Sequence, residues 1–349
     1  MSMTLSKRQT EILRLLSQKD LTRSEIEAFL ETNYTVSKAT IVRDLTDLID
    51  LNYIEQKGLG PSTYYTIKNL PYDLPIYDLD DYFKVETDSR KVVGDRFNID
   101  LIDQVDKFFS NDELDSMEKT KTDFAKRIEF KNDTEIKKEL ERFVIELSWK
   151  SSQIEGNTYT LLDTENLIKN NIEAVNHTEQ EKQMILNHKY AFDYVLKNIT
   201  DFKDFTIGGL NSLHSLIVEK LDIGQGVRTH GVGISGTKYL PLDNKYQIED
   251  ALNKLEKKLK GTKSPFIKAF GSLLFISYIQ PFADGNKRTA RILSNAILLS
   301  NNCYPLSYRS VDEILYKKAL IVFYEQYNIF YIKQIFKDQY NFSANNYFM

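Results

Sequence analysis

A mainly α-helical chain with a small separate N-terminal domain is the fold class that this sequence predicts. Three observations carry the expectation. Only 7 prolines and 14 glycines are spread over 349 residues, which favours long helices and short connections. Stretches with apolar residues at helical spacing follow one another from Leu101 to Glu325. The N-terminal residues 1–69 instead combine helical stretches with two alternating ones around a GLGPS turn, a hairpin signal.

Leu5, Ile12, Leu15 and Leu16 predict a first helix, and Thr22 to Leu30 a second, with Thr22 and Glu25 spaced as a capping box. Ser37 caps a third helix that carries Ala39, Ile41, Val42, Leu45, Leu48 and Ile49. Three helices followed by a two-stranded wing is the order of a winged helix-turn-helix, here assigned to residues 1–69. Residues 70–100 read as an irregular linker rich in Tyr and Asp, with one short strand near Tyr82 to Glu86.

The main helical domain is expected over 101–330, with segments at 101–110, 112–128, 134–154, 160–173, 178–198, 206–221, 247–260, 264–279, 285–300 and 311–325. Gly224 to Leu242 interrupts them: five glycines, β-branched residues and an SGT turn predict an exposed β-hairpin. Residues 331–349 are left as a C-terminal tail. Hydrophobic residues make up 42% and charged residues 28%, an ordinary balance for a globular protein. No apolar stretch reaches the ~18 residues of a membrane span, so no membrane association is expected. The N-terminus shows no secretory signal, and Cys303 is the only cysteine; a cytoplasmic location is the expectation.

The chemistry concentrates in PFADGNKRTARI. Asp284, Gly285 and Asn286 precede a helix start, where free backbone N–H groups form an anion site and glycine allows close approach. Lys287, Arg288 and Arg291 add cations, and Asp284 offers a hard oxygen suited to a Mg²⁺ that bridges phosphates. An acid, a glycine and three cations within eight residues point to a polyphosphate cradle.

From Gln280 to Arg291 the chain reads QPFADGNKRTAR, which resembles the signature of the Fic family of protein adenylyltransferases, His-Pro-Phe-x-Asp/Glu-Gly-Asn-Gly/Lys-Arg-x-x-Arg, at every position except the first. The likeness extends over roughly residues 70–330, through SSQIEGN, AFDYVL, LHSLI and GVRTHGVGISGTKYLPL in family order. It implies a Fic-type helical bundle that binds ATP and Mg²⁺ and transfers AMP to a protein Ser, Thr or Tyr hydroxyl. By the same resemblance Asp284 holds the metal, Gly285, Asn286 and Lys287 form the anion hole, Arg288 and Arg291 contact the outer phosphates, and Asn295 helps line the pocket. The segment around Val232, Gly233, Ile234 and Tyr239 resembles the flap that registers a target protein as an added strand.

Ser151, Glu155 and Gly156, in SSQIEGN, resemble the family's inhibitory motif, on a helix near 145–156. Glu155 comes near a helix C-terminus, where the dipole disfavours a carboxylate, so it calls for a cationic partner. The resemblance suggests Arg291. Gln280 stands where the family has its catalytic His, and an amide takes no proton near neutral pH. Three readings are open: a degenerate fold that binds nucleotide and transfers weakly or not at all; transfer by another route, with Asp284, water or an activated substrate taking the proton; or a residue introduced where the sequence carried His.

The third N-terminal helix presents Ser37, Lys38, Thr40 and Arg43 to a DNA groove, as a recognition helix does. Residues 1–69 balance nine Lys/Arg against nine Asp/Glu, so Asp44, Asp47 and Asp50 have to face away from phosphates. Winged helices also serve as dimerisation and docking modules. A DNA-binding regulator with the helical domain as its nucleotide sensor is therefore the alternative to an enzyme, and homodimerisation and the target protein stay open.

Overall fold

The computed structural model describes residues 5–68 and 72–348. It divides into two compact units, Met1–Val93 with Gln326–Tyr331, and Gly94–Glu325 with Ile332–Met349.

In the first unit, α1 (Lys7–Gln18) starts at a Ser6–Gln9 capping box and α2 (Arg23–Asn33) at the expected Thr22–Glu25 box. Ser37 caps α3 (Lys38–Asp50) by accepting the Thr40 N–H. Strands β1 (Leu21–Thr22), β2 (Ile54–Lys57) and β3 (Tyr64–Ile67) form an antiparallel sheet of order β1-β3-β2. Ile12, Leu13, Leu16, Ile26, Leu30, Ile41, Leu45 and Leu48 are buried together with Ile54 and Tyr65. Leu13, rather than Leu15, completes the buried stripe of α1. The two-stranded hairpin expected around GLGPS is β2 and β3, and β1 adds a third strand that the sequence reading did not contain.

Where a strand was expected near Tyr82 to Glu86, the chain forms α4 (Leu79–Lys84). Asp78 accepts the N–H groups of Asp80 and Asp81, and acids in the first turn and Lys84 in the last suit the helix dipole. The residues read as a linker are thus divided: up to Val93 they belong to the first unit, and Gly94 opens the second. The expected boundary at 69/70 lies outside the described residues.

The second unit is helical: α5 (Asn111–Glu129), α6 (Asp133–Ile154), α7 (Leu161–Asn170), α8 (Glu179–Lys197), α9 (Ile207–Ile217), α10 (Lys245–Lys260), α11 (Pro265–Ile279), α12 (Asn286–Ser300), α13 (Glu313–Gln326) and α14 (Phe330–Asn346). Residues 99–107 form a 3₁₀ segment instead of an α-helix. Every residue of α11 except Lys268 is buried, so this helix runs through the core, as its unbroken apolar composition demands. The tail expected at 331–349 is instead most of α14. Ile332, Phe336 and Tyr340 recur on one face and are buried. No helix among the described residues is long and apolar enough to cross a membrane.

The hairpin expected in Gly224–Leu242 does not form a strand ladder; its backbone bridge is between Arg96 and Leu240. Side chains hold the segment instead. Glu325 accepts from Thr237 Oγ1 (2.7 Å) and the Lys238 N–H (3.0 Å), and Arg228 grips Gln280 O and His230 O. Tyr239, expected on the flap, is buried between Tyr278 and Tyr324 and donates its hydroxyl to Tyr278 O.

Candidate functional site

The site is the turn between α11 and α12 together with the end of α6. Helix α11 ends because Gln280 turns left-handed (φ 51°), and α12 begins behind Gly285 (φ 80°). At Gly285 a Cβ would stand 3.0 Å from Val218 Cγ1 and 3.6 Å from Arg288 Nη2. Gly285→Ala is therefore expected to lose about 1–2 kcal/mol from the left-handed backbone alone. Denaturant unfolding checks this, and unchanged stability would contradict the backbone reading.

Asn286 staples the turn. Its Nδ2 donates to Phe282 O (2.9 Å) and Gln280 Oε1 (3.0 Å), and its Oδ1 accepts from the Phe282 N–H (2.8 Å). The Phe282 backbone sets which way the Asn286 amide points, so the Gln280 atom facing Nδ2 must be the acceptor. The other end of that amide donates to Ser277 O at 2.7 Å. Gln280 is 8% exposed, and its amide closes the last turn of α11 while holding the cradle loop.

Asp284 is the exposed member of the turn, with 69% of its side chain accessible. Its carboxylate accepts from the Gly285 N–H (2.6 Å) and lies 3.5 Å from Arg288 Nη2, two donors that an anion at the start of α12 would take. Arg288 is 3% exposed, burial lowers its pKa, and its Nη1 has no hydrogen-bond partner. A buried guanidinium with a donor left over is costly unless a ligand takes it.

Arg291 is held by α6 through Nε and Nη2, while its buried Nη1 has no hydrogen-bond partner. Its Nε donates to Ser151 Oγ (2.8 Å), and its Nη2 donates to Ser151 O (2.8 Å) and Glu155 Oε1 (2.9 Å). Lys287 Nζ lies 3.6 Å from Glu155 Oε2. Burial alone would raise the pKa of Glu155, but the charges of Arg291 and Lys287 overcome it and hold the carboxyl at about 2. Gly156 (φ 100°) turns the chain directly after it. One carboxylate thus occupies two of the three cations of the motif.

The structure brings together Gln280, Asp284, Gly285, Asn286, Lys287, Arg288, Arg291, Ser151 and Glu155. Asn295 does not join them: its Nδ2 donates to Leu306 O and its Oδ1 accepts from the Leu306 N–H, so the buried amide is spent on a neighbouring chain segment. Val232 and Ile234 are half-buried and Gly233 is exposed, in the irregular segment described above. On α3, Ser37, Lys38 and Arg43 are exposed and Thr40 is half-buried.

Three contributors escaped the sequence reading. His214 stacks on Phe282 (3.6 Å, 10°) and donates from Nε2 to Asp284 O (3.0 Å); burial pushes its pKa down to about 4. Arg228 is 4% exposed and ties the glycine-rich segment to the turn through Gln280 O (2.7 Å). His188 on α8 meets Ser151 Oγ at 2.7 Å. Each arrives from a distant part of the chain, and no local spacing announces it.

Residues 204–298 match the family model described as Fic/DOC family. Over 176 residues the chain is 28% identical to the protein adenylyltransferase Fic of Nematostella vectensis, covering 49% of this chain and 41% of that protein. The Drosophila melanogaster protein of the same name is 26% identical over 157 residues, 43% of this chain and 31% of that one. The chain thus spans less than half the length of the curated relatives it matches. Among solved structures, Fic-1 from C. elegans superposes with a TM-score of 0.57 at 17% identity, over 71% of this chain and 72% of that one. A Fic family protein from Desulfovibrio desulfuricans gives 0.54 at 19%, over 68% and 76%. The motif, the helical architecture and these matches agree on a likeness to the Fic/DOC family, with the family match at residues 204–298.

Proposed function

We propose that this protein binds ATP with Mg²⁺ in the turn between α11 and α12, that Glu155 restrains that binding, and that AMP transfer is weak or absent because Gln280 stands at the base position. The observation that carries the reading is a buried Arg288 with an unpartnered Nη1 beside an Arg291 whose Nε and Nη2 are taken by Ser151 and Glu155. The cradle asks for an anion, and the brake holds back one of the cations that would bind it.

The residues fit the ligand. The first-turn N–H groups of α12 lack intrahelical acceptors by geometry and so can meet an anion there. Asp284 would hold the Mg²⁺, whose chemistry is to neutralise charge on the bridged phosphates. Arg288 and Lys287 would take phosphate oxygens, and Arg291 would join them once released from Glu155. In transfer to a protein hydroxyl, presented along Val232 to Ile234, the oxygen bonds to the α-phosphorus, pyrophosphate leaves with the bonding pair, and the hydroxyl proton needs an acceptor. Gln280 supplies none: its Oε1 is a weak base already bonded to Asn286.

Calorimetric titration tests the nucleotide reading. Glu155→Gly protein is expected to bind Mg²⁺-ATP, and adding Arg288→Gln is expected to weaken it by about tenfold or more, the worth of one charge-assisted hydrogen bond. Equal affinity in the two forms would remove Arg288 from the site.

A second reading attaches to the first unit, whose order of elements is that of a winged helix-turn-helix. Two of the acids on α3 are spent internally: Asp44 pairs with Arg8 (2.8 Å), and Asp47 accepts from Gln9 Nε2 (3.2 Å). That leaves Lys38 and Arg43 exposed at the start of α3, beside the Ser37 cap. We therefore assign this face to duplex DNA. Binding is expected to weaken steeply with salt and to be lost in Lys38→Glu/Arg43→Glu protein; salt-independent or unchanged binding would make the unit a protein-docking module instead.

A further inference from the structure

We infer that His188 is a positioning residue of the brake: it orients the Ser151 hydroxyl so that Ser151 and Glu155 together hold Arg291 away from the cradle. The inference rests on the reading of Glu155 as a brake and extends it to a helix outside the inhibitory motif.

The hydrogen bonds can be assigned a direction one at a time. Arg291 Nε can only donate, so Ser151 Oγ accepts from it at 2.8 Å. The Met184 carbonyl can only accept, so His188 Nδ1, 2.9 Å away, carries the proton. Burial, together with the nearby charges of Arg288 and Arg291, pushes the His188 pKa down to about 3, so the ring is neutral and its Nε2 is an acceptor. The Ser151 hydroxyl, 2.7 Å from Nε2, therefore donates to it. The chain runs Arg291 to Ser151 to His188 to Met184, each of the first three side chains fully buried.

This arrangement sends the serine proton away from Arg291 and turns the oxygen lone pairs towards it. A helical serine without a better acceptor turns its hydroxyl to the carbonyl one turn back, and the lone pairs then turn as well. Helix α8 grips the brake a second time past Glu155. Asn157 Nδ2 donates to Glu181 O (2.8 Å), and the Thr158 N–H and Oγ1 donate to Glu181 Oε1 (2.9 and 2.6 Å). The inhibitory turn is thus tied to α8 on both sides of Glu155, and His188 is the tie that reaches Arg291.

Two substitutions separate positioning from packing. His188→Asn keeps a donor for Met184 O and drops the acceptor for Ser151; His188→Gln places an amide oxygen where Nε2 lies. Mg²⁺-ATP affinity is measured by calorimetry for both, each alone and in Glu155→Gly protein, with thermal unfolding alongside. His188→Asn is expected to bind about fivefold more tightly than the parent, the effect of one ordinary hydrogen bond. His188→Gln is expected to match the parent, and neither to change affinity in Glu155→Gly protein. If Glu155→Gly tightens binding but His188→Asn does not, or if both His188 variants shift affinity alike, His188 only packs and the inference is wrong. If Glu155→Gly itself leaves affinity unchanged, the brake reading fails first and takes this inference with it.

Discussion

Protein carrying both Glu155→Gly and Gln280→His is expected to incorporate labelled α-phosphate from ATP into itself about 10²–10⁴-fold faster than Glu155→Gly protein, the usual contribution of a general base. The first change removes the carboxylate that holds Arg291, and the second supplies a group that takes the hydroxyl proton. The histidines already present do not substitute. His214 is stacked on Phe282 with its Nε2–H spent on Asp284 O, and at a pKa of about 4 it is a poor base near neutrality. His188 is locked between Ser151 and Met184. Gln280 itself is held at both ends of its amide, by Ser277 O and Asn286, inside a left-handed turn. Gln280 thus holds the shape of the turn, and its amide is a weak base. Label at equal rate in the single and double variants would show that transfer proceeds without a base at position 280.

Glu155→Gly alone is expected to lower the stability of the nucleotide-free protein by about 1–3 kcal/mol at neutral pH, and Mg²⁺-ATP is expected to restore it. Removing the carboxylate leaves Arg291 buried with only Ser151 as acceptor, and breaking a buried pair from one side costs more than the pair contributes. The loss is smaller than for a fully buried pair because Glu155 keeps 19% of its side-chain exposure. The pH dependence follows from the carboxyl pKa of about 2 in the fold against an ordinary 4.5. A depressed folded pKa contributes stability that is present above about 4.5 and lost as pH falls towards 2. The gap between parent and variant is therefore expected to narrow across that window, as read by denaturant unfolding at several pH values. A gap of constant size down to pH 2 would mean that the glycine backbone, and not the lost charge, destabilises the variant.

The grouping of Asp284, Gly285, Lys287, Arg288 and Arg291 was legible because these residues are nearly contiguous in the chain. An acid, a glycine and three cations on one turn and the start of one helix need no knowledge of tertiary structure. The same holds for the N-terminal unit, where Ser37 and the Thr22–Glu25 pair signal their helices locally. What stayed hidden depends on distant partners. Asn295 sits on the cradle helix, yet Leu306 claims its amide. Tyr239 lies in a stretch that reads as an exposed hairpin, but a pocket of tyrosines from α11 and α13 buries it, and Glu325 replaces the expected ladder. Residues Tyr82 and Phe83 suggested a strand, and the cap at Asp78 decided for a helix. The periodicity of α14 is present in the sequence, in Ile332, Phe336 and Tyr340, where a tail was expected. His188, 37 residues from Ser151, joins the site only because α8 packs against α6.

Glu155 and ATP are expected to compete for Arg291. The most direct measurement is the Mg²⁺-ATP dissociation constant of the parent protein and of Glu155→Gly protein by calorimetry at neutral pH. Loss of one charge-assisted bond to Arg291 is expected to tighten binding by roughly 10- to 100-fold. Equal affinity, or weaker binding in the variant, would contradict the claim and leave Glu155 as a structural partner of Arg291.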